Sequence, residues 1–137
     1  MDIDNAASFR YALLNDVNLF VGAGFSVLAQ DSAGREMPTG DRLPSELREH
    51  FDLRGTEGLT LPQLYTLLAR TQKEHVDRFL RERLTVATCD PKYLHLRRLG
   101  VSCIFTTNID NLLQQIFADL LLFPGVIRVG VGRGRRG

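Results

Sequence analysis

Two short apolar runs end abruptly in glycine or polar loops, and most of the remaining chain follows helical periods. Val17-Asn18-Leu19-Phe20-Val21 breaks into Gly22-Ala23-Gly24-Phe25-Ser26, and Val101-Ser102-Cys103-Ile104-Phe105-Thr106 breaks into Thr107-Asn108-Ile109-Asp110. Apolar runs without strict alternation fit parallel strands covered on both faces. Asp4 to Leu14 reads as an opening helix, with Asp4 as N-cap and Phe9 and Leu13 on one face. Leu43, Leu47 and Phe51 recur at helical spacing, with Pro44 tolerated in the first turn. Thr60 is placed to cap a helix whose apolar positions run from Leu61 to Leu84. The charges from Lys73 to Arg83 read as the solvated face of that helix. Asp90-Pro91 opens another helix, with Tyr93, Leu96 and Leu99 as its apolar side and Gly100 as its C′ residue. The second loop leads into an apolar helix carrying Leu112, Leu113, Ile116, Phe117, Leu120 and Leu121.

Strand, loop, helices, strand, loop, helix is the order of an α/β domain with a parallel sheet. Ligands of such sheets sit where loops leave the carboxyl ends of the strands, and both special loops do so. Asp31 to Gly40, punctuated by Gly34, Pro38 and Gly40, reads as a loop placed to close over a ligand. The chain changes character at Pro124-Gly125. Val126 to Val129 reads as a short strand, and Gly130 to Gly137 as a flexible, basic Gly/Arg tail.

Composition narrows the picture only a little. A chain of 137 residues with 44% hydrophobic and 24% charged positions is one globular domain at most. No apolar stretch reaches the ~18–20 residues of a membrane span. The acidic N-terminus, with Asp2 and Asp4, lacks the form of a signal peptide, so the expected compartment is the cytoplasm. Cys89 and Cys103 have neither zinc spacing nor a disulfide framework, and Cys103 reads as a small core residue. The net charge of +1 does not call for a polyanionic partner. The arginines of the tail, without interleaved aromatics, make a weak nucleic-acid platform.

The candidate chemistry lies in the two loops. Glycines at 22 and 24 let backbone approach a ligand closely, and a helix starting at Phe25 or Ser26 would point free N–H groups at a phosphate. A plain tight turn explains the same residues, because Val27 replaces the third glycine of G-x-G-x-x-G and no P-loop lysine follows. Thr106-Thr107-Asn108-Ile109-Asp110 sets two hydroxyls, an amide and a carboxylate at a strand end. Capping the next helix requires only one of them.

Together, Gly22-Ala23-Gly24-Phe25-Ser26, Met37-Pro38-Thr39-Gly40 and Thr106-Thr107-Asn108-Ile109-Asp110 resemble the sirtuin-like family. The likeness is to its bacterial antiphage-defence branch, which reads G-A-G-x-S and T-T-N-x-D. It runs from about Val17 to Phe117, with Gly24 and Asn108 84 residues apart. The resemblance implies a Rossmann-like parallel sheet flanked by helices, incomplete here, that takes NAD as substrate or ligand and needs no metal. It implies NAD contacts from Gly22, Ala23, Gly24, Phe25, Ser26, Pro38, Thr39, Thr107, Asn108, Ile109 and Asp110. Asn108 would be the catalytic residue at the nicotinamide ribose, and Asp110 would help hold the carboxamide. Family activity is hydrolysis of NAD to nicotinamide and ADP-ribose, often with a C-terminal sensor, so a homo-oligomer or a separate effector is the expected partner. The family histidine follows the second loop, whereas His50, His75 and His95 all precede Asn108 and read as surface residues. The zinc cysteines and Pro-Asp-Phe-Arg signature of the deacylase branch are absent as well. Residues 1–123 therefore resemble the N-terminal part of such a domain, truncated or shifted out of frame near Phe123, with 124–137 as the short strand and tail. A nucleotide-binding remnant without catalysis, or an interaction module, is the alternative.

Overall fold

The computed structural model describes residues 5–118 and, for the backbone, 128–131. Asp4, Leu120, Leu121, Pro124 to Ile127 and the tail from Gly132 lie outside the described residues. The first helix, α1 (Ala6–Asn15), is capped by Asn5, whose side chain accepts from Ser8 N at 3.4 Å. No residue of α1 is buried. Its end is locked to the sheet instead: Gly100 N donates to Leu13 O at 2.9 Å, and Val17 N donates to Gly100 O at 2.8 Å. A Cβ at Gly100 would stand 2.2 Å from Leu14 O. The glycine is needed for this close approach of backbones, not for the expected helix C′ position, since Leu99 before it is extended.

Strands β1 (Val17–Val21) and β4 (Val101–Thr106) pair in parallel, and β5 (Arg128–Val131) adds to the far side of β4. The architecture is mixed α/β, a small parallel sheet flanked by helices. Val21 pairs with Thr106 in register, so the loops after both strands leave side by side. This register brings the two candidate loops together.

The sheet is not buried on both faces. Ile104, Val101 and Thr106 are buried, but Phe20 is 78% exposed and Phe105 45% exposed. These two rings stack on each other, centroids 4.8 Å apart. Cys103 is half-buried and stands outside the fully buried core.

The inner face packs on α4 (Leu112–Ile116) through Ile104, Leu112, Leu113, Ile116 and Phe117. Gly22 leads into a single 3-10 turn, Ala23–Ser26, nearer to the plain tight turn than to the helix start that the sequence left open. The chain then forms β2 (Ala29–Gln30), which pairs antiparallel with β3 (Thr88–Cys89). Pairing of Ala29 with Cys89 and of Gln30 with Thr88, about 60 positions away, overrides the local helical tendency of this stretch. The segment Pro91–Arg98 is likewise 3-10, opened by Asp90, whose carboxylate accepts from Lys92 N at 2.8 Å.

Helices α2 (Arg42–His50) and α3 (Leu61–Leu84) follow the apolar spacing closely. Leu47, Leu68 and Val76 form their shared core. At the start of α3, Gln63 Oε1 accepts from Thr60 N at 2.8 Å. Arg83 departs from the expected solvated face: its side chain is fully buried.

Candidate functional site

The loops after β1 and β4 meet the Met37–Gly40 segment around a cavity of about 180 Å³. Ala23, Pro38, Thr39, Thr107, Asn108, Ile109 and Asp110, all expected from the sequence, line it. Gly40, Leu43, Leu61 and Leu84 complete the lining, the leucines adding an apolar wall from α2 and α3. Those leucines were legible only as helix core. Gly22, Gly24, Phe25 and Ser26 stand outside the lining, and a Cβ at either glycine would meet open space.

Ser26 sits behind the cavity, 1% exposed, and joins the two loops. Its hydroxyl donates to Asp110 Oδ2 at 2.8 Å and accepts from Asn108 Nδ2 at 3.2 Å. A hydroxyl has one proton to give, and here the carboxylate takes it. Toward Asn108 the same oxygen can only accept, which fixes which end of the amide faces it. Asn108 Oδ1 is left as a buried acceptor with no partner among the described residues. Such atoms are rare, and each calls for an explanation.

The backbone of the second loop is held tightly. Asn108 N donates to Thr106 Oγ1 at 2.9 Å, and Thr107 N donates to Val21 O at 3.3 Å. Asp110 Oδ1 accepts from Leu112 N at 3.0 Å, so the same carboxylate caps α4 and anchors the relay. Asn111 Oδ1 accepts from Val86 N at 2.7 Å, tying the loop to the chain leaving α3.

Tyr93 does the equivalent for the first loop. Its hydroxyl donates to Phe25 O and accepts from Leu28 N at 3.2 Å, across more than 60 residues of sequence. Burial pushes the Tyr93 phenol above its ordinary range, keeping it a proton donor. Sequence spacing offered no signal for Tyr93, which read only as part of an apolar helix side.

His50, His75 and His95 are exposed and none lines the cavity; His50 packs against Phe51 and Phe79. Among the described residues no group of three or more His, Cys, Asp or Glu side chains is placed to hold a metal, and no helix is long and apolar enough to cross a membrane. Fold and site together define a mixed α/β chain with a cavity at the carboxyl ends of parallel strands. No family model, curated protein or solved structure matches the chain.

Proposed function

We infer that the chain is an NAD-binding module of the sirtuin-like type, Rossmann-like in its finer architecture. The observation that supports this reading best is the bare Asn108 Oδ1, in a residue that lines the cavity where all three family-like segments converge. An acceptor there suits a ligand that brings an O–H or N–H, such as a ribose hydroxyl, a carboxamide or an ordered water. The cavity lies below the ~300–1,000 Å³ usual for small-molecule pockets, so it fits the reacting end of a dinucleotide. The open backbone at Gly22 and Gly24 is where the remainder would lie.

When bound, NAD supplies its own leaving group, because the nicotinamide nitrogen is already cationic. The chain then needs no strong general acid. Asn108 would orient the donor group at Oδ1 while staying neutral, so it does not oppose positive charge growing on the ribose. Asp110, held through Ser26, would add negative potential beside it, and Leu43, Leu61 and Leu84 would exclude water.

Incubating the full chain with NAD and quantifying nicotinamide tests turnover, and calorimetric titration with NAD tests binding. Release that disappears in Asn108→Ala, with the fold retained, is the expected result. Heatless titration together with no nicotinamide above buffer would end the reading. The exposure of all three histidines favours a second one, binding without turnover, which calorimetric binding without nicotinamide release would establish.

A further inference from the structure

A buried arginine stands directly behind the cavity wall, outside the lining. Arg83 precedes the lining residue Leu84 at the end of α3, and its guanidinium is fully buried. An arginine keeps its charge in any protein environment, so burial requires that its donors be matched. They are matched on both sides of one loop. Before the Met37–Gly40 segment, Arg83 Nη2 donates to Glu36 O at 2.7 Å and Nη1 to Asp31 Oδ2 at 3.3 Å. After it, on α2, Nε donates to Glu46 Oε2 at 2.5 Å and Nη2 to Glu46 Oε1 at 3.0 Å.

Further charges close the cluster. Arg35 pairs with Asp31 at 2.8 Å, and Arg42 reaches Glu46 at 3.1 Å and Glu36 at 3.8 Å. Three arginines thus meet three acids; Arg42 spans both feet of the loop from the exposed side, and Arg83 is the fully buried member that does so. Between those feet lie Pro38, Thr39 and Gly40, which line the cavity.

We propose that Arg83 is a positioning residue for the pocket: its fork fixes the distance between the two feet and so sets the Met37–Gly40 wall over Asn108. That the pocket takes NAD rests on the reading above; the wall-setting role does not. Lysine in its place keeps the charge but lacks the planar fork that spans Glu36, Asp31 and Glu46 together.

Hydrogen exchange on the full chain separates wall-setting from general support. Arg42 N and Leu43 N both donate to Thr39 O, at 3.1 and 3.2 Å, so their protection reports on the wall. Amides of β4 report on the whole molecule. In Arg83→Lys, and in Glu46→Gln, exchange across residues 38–43 should rise about tenfold or more while β4 is unchanged, as expected for local opening. Unchanged exchange at 38–43, or an equal rise in β4, would overturn the proposal. In the same variants NAD affinity should fall about tenfold, the effect of one displaced polar contact. A wild-type chain that binds no NAD defeats the ligand reading alone, and the exchange arm still decides the role of Arg83.

Discussion

Ser26, Asn108 and Asp110 form a relay beside the cavity in which the direction of one proton fixes how the Asn108 amide is turned. Removing the Ser26 hydroxyl leaves Asn108 Nδ2 and Asp110 Oδ2 without their shared partner. Ser26→Ala should cost about 1–3 kcal/mol in urea unfolding, the desolvation penalty of an unmatched buried group. It should also free the Asn108 amide to turn, so NAD binding weakens beyond what the stability loss alone explains. The resemblance implied an NAD contact at Ser26; the structure shows it buried and linking two loops. That link was not legible because side-chain hydrogen bonding between loops depends on strand register, which one-dimensional spacing does not contain.

Among the elements, the backbone crossing at Gly100 and the two faces of β1–β4 are the informative features. Gly100→Ala forces a methyl into the carbonyl of Leu14, where backbone and not a flexible side chain must yield. A loss of about 1–3 kcal/mol, the usual range for overpacking, should appear in chemical unfolding. The sheet faces should respond unequally. Ile104→Ala on the buried face should cost about 2–5 kcal/mol. Phe20→Ser on the open face removes only a stacked ring pair and should cost less than about 1.5 kcal/mol. Equal losses at the two sites would mean that the exposed aromatic face is covered in solution. Apolar content marked both strands correctly as strands. Coverage of each face was not legible, because an exposed phenylalanine and a buried one are the same letter.

The Arg83 cluster ties the loop after β2, the cavity wall, α2 and α3 into one unit, and it gives the molecule an acid limit. The Arg83 guanidinium beside Glu46 holds that carboxyl below its ordinary value of 4.5, outweighing burial. For Asp31 burial pushes upward, but hydrogen bonds from the Arg35 backbone and side chain prevail, and the net shift is below 3.8. Groups lowered in the folded state add stability that is complete above their unfolded values and lost as pH falls through the folded ones. Stability should therefore be flat above about pH 5 and decline as the medium falls through pH 4 and lower. Arg83 itself is shifted upward, first by Glu46, so it stays charged throughout that window and the acid loss arises from its carboxylate partners. Urea unfolding of Glu46→Gln at pH 7 and pH 3 should show a smaller acid loss than the parent chain. An identical loss would place the acid sensitivity elsewhere.

The sequence by itself determined the helices α2 and α3, the strands β1 and β4, the parallel α/β order and the cavity segments at Ala23, Pro38-Thr39 and Thr107 to Asp110. The elements depend on local period and on polar residues interrupting apolar runs, information that neighbouring letters carry, whereas the cavity residues were implied by the family resemblance of three separated segments. Only the tertiary structure decided that Ala23–Ser26 makes a 3-10 turn pinned by Tyr93, that Ala29–Gln30 is a strand, and that Arg83 is buried. Each of those outcomes depends on a partner distant in the chain: Tyr93 for Phe25, Cys89 for Ala29, Glu46 and Asp31 for Arg83. Local propensity amounts to tenths of a kcal/mol per residue, roughly, and a matched buried charge or ladder bond exceeds it.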